Sequence, residues 1–406
     1  MRCAGRRTYA GGVTDATSID SISVIDVDTH FTEPPDLWTS RAPERLRDSV
    51  PRVVRDAQGR DQWVTGQSVT GQGRVLGPVG YCVIDRGGAK ERGRITLDRF
   101  DEIHPGASDP AARLALMDEH GVTAQIIYPN VLGFTGSFAL NIEDVALRTF
   151  CVTAYNDAIA DLQEAGAGRL LPQAVLPIWD LAAAVRELER CADVLHLSGV
   201  VLTDSPEVWG LPTLSDRHWD PLWGAAQDRG LPIDFHIGGG GPMGTVWAGM
   251  SEAAEIATMS VLADVGNIRC IANLIFSGLL DRFPRLDFVS VESGVGWLPF
   301  VLELCEYQFD ENRVAGLELR PREYFRRQIY ASYWFESDVA TALGELGEDN
   351  VMFETDFPHP TCLYPGVREQ IRATLGGMPE RVQRKVLHGT AARLYGIELS
   401  GDSLRS

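Results

Sequence analysis

The chain has 406 residues, 44% hydrophobic and 23% charged, with 41 glycines and 22 prolines, which excludes low-complexity, collagenous and wholly disordered polypeptides. Its 56 acidic residues against 37 basic ones leave a net charge of −19, the wrong sign for displacing counterions from a nucleic acid. The seven cysteines (Cys3, Cys82, Cys151, Cys191, Cys270, Cys305, Cys362) are scattered and never spaced as Cys-x-x-Cys, so reduced, buried thiols of a cytoplasmic protein are expected rather than a disulfide framework or zinc ribbon.

Residues 1–20 read as a flexible tail, basic at the start but with no apolar core behind it, and so not a signal peptide. No uninterrupted apolar window is long enough for a membrane span. Short β-branched runs then recur: Ile22–Asp28, Thr123–Tyr128, Pro172–Pro177, Ser198–Leu202, Pro232–His236, Leu286–Glu292, Gln328–Trp334 and Asn350–Thr355. Continuous apolar runs of this length suit parallel strands buried on both faces. Helical patterns separate most of them, at Asp109–His120, Ile142–Ala165, Leu181–Val194, Leu214–Arg229 and Trp297–Phe309. Eight strand–helix units predict an α/β chain folded as a (β/α)8 TIM-type barrel over residues 21–398, with 399–406 as a C-terminal tail. A doubly wound sheet is the alternative.

Residues 31–108 interrupt this rhythm as a long insertion after the first strand. Trp38, Trp63, Tyr81 and Phe100 predict an ordered, lid-like element rather than a linker. Its eleven arginines and one lysine face eleven carboxylates, so it is the relatively basic part of an acidic protein. Arg41, Arg45, Arg47, Arg52, Arg55 and Arg60 cluster there, and Arg45, Arg52, Arg55 and Trp63 are candidate substrate-binding residues. Solvated faces or ion pairs with the barrel would account for the arginines equally well.

Polar residues gather where four of the strands end: Asp28 and His30, His236, Glu292, and Asp356. In a barrel those ends share one rim. Asp28 and His30, two apart on a strand, point the same way. Taken singly, each is also what an ordinary strand end carries. Together they place three carboxylates and two imidazoles in a small volume, which a divalent metal, or two, would compensate. His359 and Ser293 are candidate supporting partners. The glycines from Gly239 to Gly244 match a dinucleotide turn only loosely, because Pro242 sits inside it; they read instead as room near a pocket. His104, His120, His196 and His218 read as surface or structural. With only Lys90 and Lys385 in the chain, lysine-based chemistry is disfavoured.

These same segments resemble the amidohydrolase superfamily, in particular the amidohydrolase-2 branch related to aminocarboxymuconate-semialdehyde decarboxylase. The matching pieces are Val24-Ile-Asp-Val-Asp-Thr-His-Phe-Thr-Glu-Pro, Phe235-His236, Phe283-Pro-Arg-Leu, Glu354-Thr-Asp-Phe-Pro-His and Gly389-Thr-Ala-Ala-Arg-Leu-Tyr-Gly396. The resemblance implies metal ligands at Asp28, His30, His236 and Asp356. Two departures stand out: Asp28 replaces the usual His or Glu, and Glu292-Ser293-Gly294 replaces a strand-six His followed by glycines. The extra carboxylate favours two oxygen-loving ions, iron first, with manganese or zinc as alternatives. Within the branch the chain looks like a non-haem di-iron acyl-CoA thioesterase type from bacterial diterpenoid (natural product) biosynthesis.

The expected function is therefore that of a metal-dependent hydrolase cleaving an ester-type bond, an acyl-CoA thioester first, with Asp356, His236 and His359 as catalytic residues and Asp356 orienting or deprotonating the attacking water. The expected substrate is a small anionic molecule with a hydrophobic acyl part; neither nucleic acid nor membrane is expected as a partner, and a homodimer is allowed. The alternative enzyme is a non-oxidative, metal-dependent decarboxylase of an unsaturated or aromatic carboxylic acid. A metal-stabilised binding or scaffold protein is the non-enzymatic reading.

Overall fold

The computed structural model describes residues 19–66, 68–69, 80–239, 249–264 and 266–399. Residues 1–18 and 400–406 of the two predicted tails, and Gly240–Gly244 of the glycine-rich motif, lie outside the described residues. Ile19, in the stretch read as a tail, is already buried in the core.

Eight parallel strands form one sheet: Val24–His30, Val122–Tyr128, Leu170–Pro172, Val200–Leu202, Ile233–His236, Phe288–Val291, Ile329–Tyr333 and Val351–Phe353. In that order the first strand lies between the second and the eighth, and the rest follow round to the third and fourth at the two ends. A bridge between Ala174 and Val200 joins those ends, with Ala174 N–H donating to Gly199 O at 3.0 Å and Val201 N–H to Ala174 O at 3.0 Å. The sheet is a closed barrel. A side chain on Gly199 would run into Gln173 Oε1, so glycine permits this closing approach.

The strand residues are almost wholly buried, the reason the runs are apolar without alternation. Helices Pro110–His120, Val145–Ala165, Leu181–Asp193 and Val339–Leu346 each begin on an aspartate (Asp109, Asp144, Asp180, Asp338) whose carboxylate accepts first-turn N–H groups. Each such cap is worth about 1 kcal/mol. The third strand differs from expectation. Its apolar run continues to Pro177, but Asn156 takes over the backbone of Val175, accepting from its N–H at 3.0 Å and donating to its carbonyl at 2.8 Å, and the ladder stops.

The insertion carries a small antiparallel sheet of Arg52–Arg55, Asp61–Thr65 and Ser68–Val69. Trp38 and Trp63 meet edge-to-face at 5.6 Å, and Trp63 packs on Phe100. Trp38 stacks on Tyr155 and donates from Nε1 to Cys151 O at 2.9 Å, both on the helix Val145–Ala165. The insertion is thus anchored on the barrel's own hydrophobic core. The six described cysteines are free and buried. The stretch Glu252–Phe276 is long and apolar enough by composition to cross a membrane, but Cys270, Ile271, Leu274 and Ile275 in its second half pack into the barrel core.

Candidate metal centre

All five predicted donors meet at the mouth of the barrel. Asp28 and His30 end the first strand and His236 the fifth; Glu292 directly follows the sixth, and Asp356 lies three residues past the eighth. Glu292 and Asp356 both adopt left-handed backbone conformations, with φ of 54° and 59°. Side-chain-bearing residues avoid that region unless their surroundings impose it, and such strain concentrates at functional sites. Glu336 holds the first of these turns: its carboxylate accepts from Val295 N–H at 2.6 Å and Trp334 N–H at 3.0 Å. Asp26 holds the second, accepting from Thr355 N–H at 2.8 Å and Thr355 Oγ1 at 2.6 Å.

The imidazoles face each other, Nε2 to Nε2, at 3.3 Å. His236 Nε2 is 3.5 Å from both Asp28 Oδ1 and Glu292 Oε2; His30 Nε2 is 3.7 Å from Asp28 Oδ1 and from Asp356 Oδ1. Because His236 Nδ1 lies 3.0 Å from the carbonyl of Ile237, which only accepts, Nδ1 carries the proton and Nε2 presents its lone pair inward.

Both oxygens of Asp28, Oε2 of Glu292 and Oδ1 of Asp356 are buried without a hydrogen-bond partner. An unmet buried acceptor costs about 1–3 kcal/mol, and more when charged. Burial, then Asp356, raise the carboxyls of Asp28 and Glu292 well above the carboxylate range. Burial also lowers His236 to about 4 and His30 well below its usual value, so both are neutral donors. Orphaned carboxylate oxygens facing two imidazole Nε2 atoms fit a divalent cation. Three overlapping groups converge closely enough to hold an ion: Asp28, His30 and His236; His30, Asp356 and His359; Asp28, Glu292 and Asp356.

Beneath the mouth, buried Arg113 donates to His30 O at 2.6 Å and to Gln125 Oε1 at 3.0 Å, and Gln125 Nε2 reaches Asp26 Oδ2 at 3.2 Å. Asp234 accepts from Tyr128 OH at 2.8 Å and Tyr395 OH at 3.2 Å. Burial raises Asp26 and Asp234 to about 7.

His359 lies face to face with His30, ring centroids 3.6 Å apart, and its Nδ1 is 3.1 Å from Asp356 Oδ1. Ser293 pairs with Ser290 at 2.6 Å rather than with a donor. Three residues escaped the sequence reading: Glu33, Asn130 and Phe134. Phe134 packs against His236, His30 and His359 at 4.9, 5.0 and 5.3 Å, and Tyr81 from the insertion reaches Phe134 and His359, each at 5.6 Å. Their sequence signal, Pro129-Asn130 and Glu33-Pro34 after strands, reads as ordinary turns. Trp63, a candidate substrate-binding residue, is closed into the core with Trp38, whereas Tyr81 reaches the mouth. Arg45 is exposed, Arg52 donates to Gly66 O at 3.1 Å, and Arg55 pairs with Asp61 at 2.8 Å.

The amidohydrolase family profile matches residues 25–397. The chain belongs to the amidohydrolase family. A γ-resorcylate decarboxylase of Rhizobium radiobacter is 27% identical over 318 residues, covering 70% of this chain and 86% of the relative. Among solved structures, an amidohydrolase from Mycobacterium avium subsp. paratuberculosis K-10 superposes with a TM-score of 0.71 at 23% identity, over 93% of this chain and all of its own. A 5-carboxyvanillate decarboxylase from Novosphingobium aromaticivorans, complexed with manganese and 4-hydroxy-3-methoxy-5-nitrobenzoic acid, does so at 0.61 and 16% identity, over 93% and 97%. These likenesses confirm the barrel.

The curated relative overturns the expected acyl-CoA thioester hydrolysis, because its reaction is decarboxylation of an aromatic acid. The donor set indicates a cation but not which bond breaks. The expectation of iron likewise gains no support, manganese being the ion in the solved decarboxylase.

Proposed function

We propose that the barrel mouth decarboxylates a small aromatic carboxylic acid, with divalent cations held by Asp28, His30, His236, Asp356 and Glu292. The observation that carries this reading is the set of unpartnered, buried carboxylate oxygens facing two imidazole Nε2 atoms in a chain related to a γ-resorcylate decarboxylase. The oxygen-rich donor set favours a manganese-like ion. Asp28 belongs both to the group with His30 and His236 and to the group with Glu292 and Asp356. Three carboxylates exceed the charge of one divalent cation, so we infer about two per chain.

When bound, the cations supply the positive charge that holds the substrate's carboxylate and any adjacent phenolate. Phe134 and Tyr81 offer ring surfaces beside the donors for an aromatic acid. In the reaction the ring–carboxyl bond breaks, its electron pair stays on the ring carbon and takes up a proton, and carbon dioxide leaves. No water is consumed. Asp356 and His359, 3.1 Å apart, are placed to hold that proton and to recover one from solvent after each turnover.

The test is a panel of hydroxybenzoic acids, including 2,6-dihydroxybenzoate and 5-carboxyvanillate, incubated in deuterium oxide. Carbon dioxide release with deuterium at the vacated carbon is expected, abolished by chelation and restored by manganese. No carbon dioxide from any of them, with cation bound, would overturn the proposal.

A further inference from the structure

The loops after the first, second and eighth strands are joined through one buried chain of polar groups. Glu33, from the first, accepts from the backbone N–H of Asn130 at 2.8 Å and of Val131 at 3.1 Å. Its second oxygen accepts from Asn130 Nδ2 at 3.1 Å, and that nitrogen also donates to Phe31 O at 3.1 Å. With two acceptors on one side, the Asn130 amide has only one orientation: its nitrogen faces Glu33 and Phe31, and Oδ1 points the other way. His359 Nε2 lies 2.9 Å from that Oδ1. An amide oxygen only accepts, so Nε2 must carry the proton, and Nδ1 on the opposite edge turns to Asp356 Oδ1. The ring cannot swing away, because His30 covers one face and Phe134 and Tyr81 lie against it.

We propose that Asn130, locked by Glu33, is a positioning residue that keeps the His359 proton on Nε2 and turns Nδ1 to Asp356. Neither Glu33 nor Asn130 belongs to the groups that converge on an ion; both act through His359. The effect on turnover rests on the decarboxylase reading, whereas the tautomer does not, so the two fail separately. Replacing Glu33 by glutamine keeps the shape but sets an amide N–H against the Asn130 side chain. This rewards turning Asn130 over and presenting its nitrogen to His359, which moves the histidine proton to Nδ1. An aspartate in place of Asn130 still accepts from Nε2.

Ring-nitrogen-15 NMR of the full chain loaded with magnesium, with the His359 signals assigned by loss in His359→Gln, reads the tautomer directly. The wild type and Asn130→Asp are expected to show the proton on Nε2, whereas Glu33→Gln and Asn130→Ala lose that preference. In the active, manganese-loaded protein Asn130→Ala should lower kcat about 10–100-fold with KM changed less than about twofold, Asn130→Asp recovering part of the loss. A wild-type spectrum with no proton on Nε2 would overturn the proposal. So would an unchanged Nε2–H tautomer in both Glu33→Gln and Asn130→Ala. If Asn130→Ala fails to fold, the isosteric Glu33→Gln decides alone. Should the wild type release no carbon dioxide from any acid, the function falls while the spectra still judge the positioning role.

Discussion

The barrel mouth and the insertion over residues 31–108 both drew attention by charged side chains, the mouth by those at strand ends and the insertion by arginines, beside aromatic residues, in a long loop. They use them in opposite ways. In the insertion Trp38 and Trp63 are closed against each other and the barrel, and Arg41, Arg55 and Arg60 have carboxylate partners. At the mouth, Asp28, Glu292 and Asp356 keep buried oxygens with no hydrogen-bond donor, and two residues hold strained backbone to put them there. Partnered charges and packed rings stabilise a fold. Buried carboxyl oxygens left without a donor are arranged for something that arrives from outside.

The difference can be broken first at Asp356. Asp356→Asn keeps the shape and the hydrogen bond from Thr361 Oγ1, 2.7 Å in the native protein, but removes the acid opposite His359. Turnover should fall about 10²–10⁴-fold in steady-state assays while the denaturation midpoint holds or rises. Trp38→Ala should do the reverse, costing about 3–5 kcal/mol in chemical denaturation with kcat of the folded fraction nearly unchanged. The smallest effect is expected from Arg45, Arg52 and Arg55 replaced together by alanine. Arg45 and Arg55 are exposed and Arg52 serves the insertion's own backbone, so turnover should change less than about twofold and stability by about 1 kcal/mol. A large loss of substrate affinity in that variant would return the insertion to the binding site.

The eight strands were legible because a parallel strand buried on both faces has no polar alternation to confuse it, as Ile329–Tyr333 and Phe288–Val291 show. The donors were legible because they end those strands. Glu33, Asn130 and Phe134 were not, since each lies in a loop whose partners are distant in the sequence: Asn130 meets Glu33 at a separation of 97 residues and His359 at 229. Nothing local distinguishes such an asparagine from a turn former. The reaction was misread for a different reason: the thioester came from a resemblance to a di-iron thioesterase type, and the donors alone do not choose between hydrolysis and decarboxylation.

Calorimetric titration of manganese into the chelator-treated full chain tests most directly whether the mouth is built for a cation. Asp28 and Glu292 are held above the carboxylate range by burial and by Asp356. Above about pH 4 these two carboxyls therefore hold protons in the folded, metal-free chain that they lose on unfolding, and their contribution to stability falls as pH rises through their raised values. A bound cation removes that excess, so loading should raise the melting temperature more at about pH 8 than at about pH 5.5. The prediction for the titration is saturable binding with protons released to the buffer, weakened at least about tenfold by Asp28→Asn. Absence of saturable binding, or binding indifferent to Asp28→Asn and without proton release, would contradict it.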